Sequence, residues 1–370
     1  MAFKFNKIKA DLRSYPPYII MGLHKVGKTT LFRDLVLFNY DDESKGVLIS
    51  FKDEEGYLAL DRLQVETAKV WNAFEDETTG ERGFVQIVDD LVMNKDAYGI
   101  EMIGLDTLDK MVEVATDEVF NEHRRLKGVA PKSLNDALGG YGAGQKRVSE
   151  LMQAQIARLR EVGYAVFILA HTKIKDKTDP MTGEVYEQIT NNLQSGFYNT
   201  FANTAQMIVN IVVERDIKDG RQLGEVRMMH FRDNGLVDAG SRFQEMPEKL
   251  ELSAENFMKA FETGVKNSSC DGKVMTDKEI AKKRKEEDAV IKKQSKDVAE
   301  REANVKKEEA NLTEKLEIIE QIKSRGISKA TPEQSEAVKR YAKEKGISSI
   351  TDTNVVTLDD LNHIASLMGL

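Results

Sequence analysis

Gly22-Leu23-His24-Lys25-Val26-Gly27-Lys28-Thr29 has the form G-x-x-x-x-G-K-[ST], and it lies between a short apolar run and an apolar segment with helical spacing. Tyr18-Ile19-Ile20-Met21 reads as a buried strand, and Thr30-Leu31-Phe32-Arg33-Asp34-Leu35-Val36 as the first turns of a helix. Between such elements the glycines let the backbone curl, so that successive N–H groups and the positive end of the helix dipole meet a phosphate chain. The pattern predicts a nucleotide site formed by Gly22, Leu23, His24, Lys25, Val26, Gly27, Lys28, Thr29 and Thr30. Lys28 would reach the β- and γ-phosphates, and the Thr29 hydroxyl would ligate a magnesium ion that bridges them.

Outward from this loop, Gly46 to Phe51 reads as a second strand that runs directly into Lys52-Asp53-Glu54-Glu55-Gly56. Ligands of parallel α/β sheets sit outside the carboxyl ends of the strands, so a carboxylate here could orient and deprotonate the water that attacks a γ-phosphate. Ile100 to Asp109 reads as an apolar strand ending in aspartate, and Asp106 is the expected magnesium partner. Between them, Phe84 to Val88 reads as a strand and the lone Trp71 as a packing residue. A helix is expected from Leu108 to about His123, then a long Gly-rich loop through Gly144, and an amphipathic helix over Gln145 to Glu161. Tyr164 to Ala170 reads as a buried strand ending at His171-Thr172, followed by a polar loop, Lys173 to Glu184, with lysines at alternate positions. Met207 to Val213 and Glu225 to Phe231 read as strands, paired antiparallel around Lys218-Asp219-Gly220.

Composition narrows the classes of function. The chain has 370 residues, 41% hydrophobic and 31% charged, enough for a large core with appendages. Its net charge of −8 excludes a bulk DNA coat, so any nucleic-acid contact must come from local basic loops. The single cysteine, Cys270, excludes an intramolecular disulfide and a cysteine-rich zinc site, and reads as an incidental thiol in a linker. No run approaches the length of a membrane span, and the N-terminal stretch lacks the apolar centre of a signal peptide, so a cytoplasmic protein without membrane contact is expected.

The order of these parts resembles the RecA-type ATPase core. More narrowly, Gly22 to Thr30, Glu54-Glu55-Gly56, Leu105-Asp106, Leu169 to Lys173 and Phe231 to Phe243 resemble phage-encoded RecA-like nucleotide-binding proteins, some of which are single-strand annealing proteins or minimal recombinases. The resemblance covers about Tyr18 to Leu252. It implies a RecA-like P-loop α/β fold with a mainly parallel sheet, ATP and Mg2+ as ligands, and a phage protein acting in the host cell. The family's catalytic glutamate falls on Glu55, or on Glu54 if the register slips by one. His171 stands where the family carries a polar residue that senses the γ-phosphate. Two loops grip single-stranded DNA in such proteins; here Lys173, Lys175 and Lys177 would serve in one, and Lys132, Lys146 and Arg147 beside the other, with Tyr141 able to stack on a base. A basic residue that completes a neighbour's site falls on Arg232 or Arg242, with a slight preference for Arg242, and implies self-association into a ring or filament.

From about Met275 to Arg325 the sequence is a dense mixture of Lys and Glu without proline or glycine, and predicts a long exposed helix. Ile291, Val298, Val305, Leu312 and Ile319 recur at intervals of seven, one apolar column and too narrow for a stable coiled-coil dimer. Helical runs at Pro332 to Lys345 and Leu358 to Met368 suggest a small module. The expected division is a core over 1–270, a charged helical linker over 271–325 and a helical module over 326–370, whose expected partner is a single-strand-binding or other replication protein. Two functions compete: a recombination ATPase that grips single-stranded DNA for annealing or strand exchange, and a helicase-loading or replication-accessory ATPase that acts through its tail.

Overall fold

The apolar run before the phosphate loop is strand β1 (Tyr18–Gly22), and all of it is buried. The computed structural model describes residues 9–72, 82–218, 221–269, 274–325, 330–347, 349–351 and 356–369. Helix α1 (Lys28–Tyr40) begins inside the motif, and its N-cap Gly27 has φ 107°, a conformation that side-chain-bearing residues rarely adopt. Next come β2 (Gly46–Phe51), β3 (Gln64–Ala68), α2 (Phe84–Met93), α3 (Lys95–Tyr98), β4 (Met102–Asp106) and α4 (Leu108–Lys127). They are followed by α5 (Ala143–Glu161), β5 (Ala165–Thr178), β6 (Val185–Asn191), α6 (Ser195–Ala202), β7 (Met207–Lys218) and β8 (Arg221–His230). Two short strands, β9 (Gly240–Ser241) and β10 (Lys249–Glu251), precede α7 (Ala254–Asn267), α8 (Asp277–Arg325), α9 (Pro332–Lys345) and α10 (Leu358–Leu367).

The sheet runs β10-β8-β7-β1-β5-β4-β2-β3, and its stretch from β7 to β3 is parallel throughout. Parallel strands need crossover helices, which cover both faces, and this is why β1 reads as an unbroken apolar run. Ile19 and Met21 face one apolar layer, with Phe84, Leu91, Val148 and Phe201. Tyr18 and Ile20 face the other, with Leu31, Leu35, Phe257 and Phe261. The fold is therefore a three-layer α/β P-loop core. Its decisive feature is the place of β5, between the strand of the phosphate loop and the strand of Asp106. Gly22 pairs with His171 in register, and Leu169 pairs with Asp106. His171, midway along β5, is thus delivered between the two.

The structure corrects two of the expected elements. Phe84 to Val88 is the start of helix α2, not a strand: Phe84, Ile87, Val88, Leu91 and Val92 are all buried and repeat with helical spacing. A window of five residues rich in Phe, Val and Ile conceals that period. Trp71, 2% exposed, packs with its ring centroid 5.1 Å from that of Phe84. The polar stretch after His171 is also not a loop. β5 continues to Thr178 and pairs antiparallel with β6 in a hairpin closed by Asp179 to Glu184. Asp179 accepts from the N–H groups of Met181 and Thr182, and Gly183 sits at φ 76°. Its two-residue alternation is that of a strand, but the lysines make it look solvated.

Tight crossing of α1 over the sheet depends on Gly104 in β4. A Cβ there would lie 2.7 Å from a Leu48 methyl carbon and 3.0 Å from the Phe32 ring. Gly104→Ala is expected to destabilise the protein by about 1–3 kcal/mol through overpacking, measured by denaturant unfolding.

Contacts divide the chain after Lys293, not at 270. The first turns of α8 belong with the core: Asp11 is 2% exposed, and Arg284 donates to it at 2.8 and 2.9 Å. Asp288 pairs with Arg13, which also meets Glu101 at 3.0 Å, and Ile280 is buried. A carboxylate as buried as Asp11 requires a cation partner, and a helix dense in charge provides one. The second unit has its own cluster, in which Ile319 and Ile322 pack with Ile347, Val356, Leu361, Ile364 and Met368. Leu312 is 44% exposed, whereas Ile319 is buried. Cys270, Asp219 and Gly220 lie outside the described residues, as do the side chains of Ile291, Val298 and Val305. Among the described residues no helix is long and apolar enough to cross a membrane.

Candidate nucleotide site

The carboxyl ends of β1, β2 and β4 and the middle of β5 meet at a cleft of about 500 Å³. The phosphate loop forms its floor, with Thr29, Glu54, Asp106 and His171 around it. Gly22 cannot be replaced without movement, because a Cβ would stand 2.6 Å from a Val26 methyl and 3.0 Å from the Ile211 carbonyl oxygen. Lys28 is buried, and its ammonium donates to the carbonyl oxygens of Gly22 at 3.1 Å and Leu23 at 3.0 Å. Burial lowers its pKa, while the carboxylates of Asp106, Glu54 and Asp109 oppose that shift.

Thr29 donates its hydroxyl proton to Asp106 Oδ2 at 2.8 Å, joining the loop to the end of β4. Asp106 is 2% exposed, and burial raises its pKa to about 6, against the hydrogen bond from Thr29 and with help from Glu54. A buried carboxylate held beside a hydroxyl, with a second carboxylate near, is a donor set for a hard divalent cation such as Mg2+. The cradle made by Gly22 and Gly27 and this oxygen cluster fit a magnesium nucleotide.

The two glutamates after β2 are not equivalent. Ser50 donates its hydroxyl to the Glu54 carbonyl oxygen, and the Glu54 N–H donates to Phe51 O at 3.2 Å. This turn directs the Glu54 side chain inward: a Cβ on Gly56 would stand 3.4 Å from Glu54 Oε1 and 3.9 Å from Thr29 Oγ1. Glu55 is exposed on the lip shared with a neighbouring cleft lined by Lys52 and Arg82. Of the two carboxylates it is that of Glu54, the alternative register, that acts on Lys28 and Asp106.

His171 is buried, and Asp109 fixes it twice. Asp109 Oδ2 accepts from the His171 N–H at 2.9 Å and lies 3.3 Å from Nδ1. Burial acts to raise the Asp109 pKa, but the His171 side chain and N–H outweigh it and hold the carboxyl below its usual range. On the other side the ring of His24 approaches to 3.9 Å between centroids. His171 above all, then partial burial and Lys28, keep the His24 imidazole below the usual histidine value. Leu23, Lys25 and Thr30 complete the loop, and Val26 is buried beneath it.

Sequence reasoning missed Asp109 and Arg227. Asp109 stands three residues after Asp106, in the first turn of α4, and that closeness in sequence was available. Arg227 lines the cleft from the middle of β8 and belongs to no motif. Neither Arg232 nor Arg242 lines the cleft in the same chain. Arg242 follows β9, which pairs with the first residues of β7 at the amino edge of the sheet, and its guanidinium donates to the Asn203 carbonyl.

The lysines after His171 share one face of the β5–β6 hairpin, where Lys173, Lys175 and Lys177 stand opposite Thr190, Gln188 and Tyr186. Lys175 is partly buried and donates to Leu193 O at 2.7 Å, whereas Lys173 and Lys177 are exposed. Near the Gly-rich segment, Lys132 is exposed and Lys146 lies 3.8 Å from Glu150, a surface pair worth about 0.5 kcal/mol or less. Arg147 is different: its guanidinium is bound to Glu122 at 2.7 to 3.2 Å, and is committed to joining α5 to α4. Tyr141 stands fully exposed at φ 51°.

The family model described as the AAA domain matches residues 15–243. No curated protein matches the chain.

Proposed function

The chain belongs to the AAA domain family, and we propose that it hydrolyses ATP in the cleft around Lys28 and couples that reaction to a grip on single-stranded DNA during recombination. The observation that supports the ATP site is the convergence of Lys28, Thr29, Glu54, Asp106 and His171, from the ends of β1, β2 and β4 and the middle of β5, on one cleft. The loop N–H groups and Lys28 bind the β- and γ-phosphates. Thr29 and Asp106 hold Mg2+, which supplies neutralisation of the phosphate charge. Glu54 orients a water in line with the γ-phosphate and accepts its proton, and Asp109 keeps the His171 ring turned toward the same phosphate. Arg232 or Arg242 of a neighbouring copy completes the charge at the γ-phosphate in a ring or filament.

Support for the DNA reading comes from the hairpin. Its lysine face begins two residues beyond His171, and Tyr186 stands directly opposite Lys177, so one surface offers cations for a phosphate backbone and a ring for a base. Any movement of His171 on hydrolysis is delivered to the root of that hairpin. The second reading, a replication-accessory ATPase acting through its tail, is favoured by the separate apolar cluster of the C-terminal unit.

One experiment separates them: ATP hydrolysis with and without single-stranded DNA, in wild type, Lys28→Ala and Lys173→Ala/Lys175→Ala/Lys177→Ala. Lys28→Ala is expected to abolish turnover. DNA is expected to stimulate the wild type severalfold, and the triple variant to keep its basal rate without that response. If DNA leaves the wild-type rate unchanged, the DNA reading falls and the tail becomes the part to test.

A further inference from the structure

Two strands run past the phosphate loop. Gly22, the last residue of β1, pairs with Ile211, but β7 continues to Lys218 with β8 beside it. Met229 pairs with Ile211 and is fully buried in the layer that holds α1. Two residues outward on the same face of β8, opposite Val213, the side chain is Arg227. Its backbone is fixed on the other side, where the Leu252 N–H donates to the Arg227 carbonyl oxygen at 2.8 Å. Where the apolar layer ends and the cleft begins, the strand thus presents a guanidinium.

Arg227 is exposed, and among the described residues no carboxylate pairs with it. In a chain of net charge −8, where most arginines of the core are bound to carboxylates, this one is directed at the loop instead. Its Nη1 lies 3.6 Å from the position of a Cβ on Gly27, the residue at φ 107° that starts α1. Lys28 approaches the same loop from within, folded onto the Gly22 and Leu23 carbonyls. A planar guanidinium with several fixed donors suits phosphate oxygens better than it suits water.

We propose that Arg227 is a second phosphate-binding cation of the nucleotide site, supplied by the same chain from the β7–β8 arm. It rests on the nucleotide reading above and adds to it a residue separate from the arginine of a neighbouring copy. Its contact forms without self-association. Because Gly27 belongs to the run of backbone that cradles the phosphates, Arg227 serves the diphosphate as well as the triphosphate.

The test is equilibrium binding of Mg·ATP and Mg·ADP to the full chain in wild type, Arg227→Ala, Arg227→Met, Arg227→Lys and Lys28→Ala, at protein concentrations below and above any self-association. Loss of charge-assisted hydrogen bonds is expected to weaken both nucleotides about 10- to 100-fold in Arg227→Ala and Arg227→Met, at every protein concentration. Arg227→Lys is expected to recover part of the affinity, and unchanged melting temperatures would show that the exposed side chain is not needed for folding. Wild-type affinity in Arg227→Ala beside a large loss in Lys28→Ala overturns this proposal alone. A loss seen only in the associated protein overturns the same-chain contact, and a wild type that binds neither nucleotide overturns the nucleotide reading and this proposal with it.

Discussion

Asp106→Asn is expected to stabilise the metal-free protein at neutral pH while ending magnesium-dependent hydrolysis. The carboxyl group is held at a pKa of about 6 in the folded chain, against the 3.8 of an ordinary aspartate, with burial as the main cause and Glu54 adding to it. Between these values the folded state binds more protons than the unfolded state, so stability falls as pH rises through the window. The penalty is absent below the unfolded value and complete above the folded one. A difference of this size corresponds to roughly 3 kcal/mol when Asp106 is ionised. An asparagine can still accept the Thr29 proton, and carries no charge to desolvate.

The measurement is unfolding of both proteins from about pH 4 to about pH 8, in chelator and in Mg2+ with ADP. The stability difference should grow from near zero to a few kcal/mol as pH rises in chelator. With Mg2+ and ADP it should shrink or reverse, because the cation supplies the charge that the carboxylate lacks. A variant less stable than wild type at pH 8 in chelator would show that Asp106 is held in place by contacts that outweigh its desolvation.

The second large effect separates the two glutamates. Glu54→Gln is expected to lower kcat about 10²- to 10⁴-fold with little change in ATP affinity, the range for loss of a positioned general base. Glu55→Gln is expected to stay within a few-fold of wild type, since that side chain is exposed at the lip. Steady-state hydrolysis and direct ATP binding on the two variants decide it. A loss confined to Glu55→Gln would mean that the turn after β2 rearranges when nucleotide binds.

Much of the core was legible because its signals are local. The eight residues from Gly22 to Thr29 carry their chemistry in their own order, and β1 and β2 appear as apolar runs at or near their final bounds, whereas β7 runs on to Lys218 and β8 starts at Arg221, beyond the apolar stretches that announce them. Elements whose identity depends on neighbours were not legible. Strand β3 has only one buried residue, Ala68, and is a strand because β2 pairs with it. The hairpin after His171 is charged along one face and holds its shape through β6.

The sequence by itself determined that a phosphate loop sits between a strand and a helix, that Asp106 ends a strand, and that a charged helix and a small helical module follow the core. Backbone propensity, apolar period and glycine placement act over a few residues and need no partner. Only the tertiary structure decided that β5 lies between β1 and β4, which brings His171 to Asp109 and His24; that Glu54 and not Glu55 turns inward; and that Arg227 faces the loop. Strand order and side-chain direction are set by how distant apolar faces are shared, and no stretch of the chain carries that information alone.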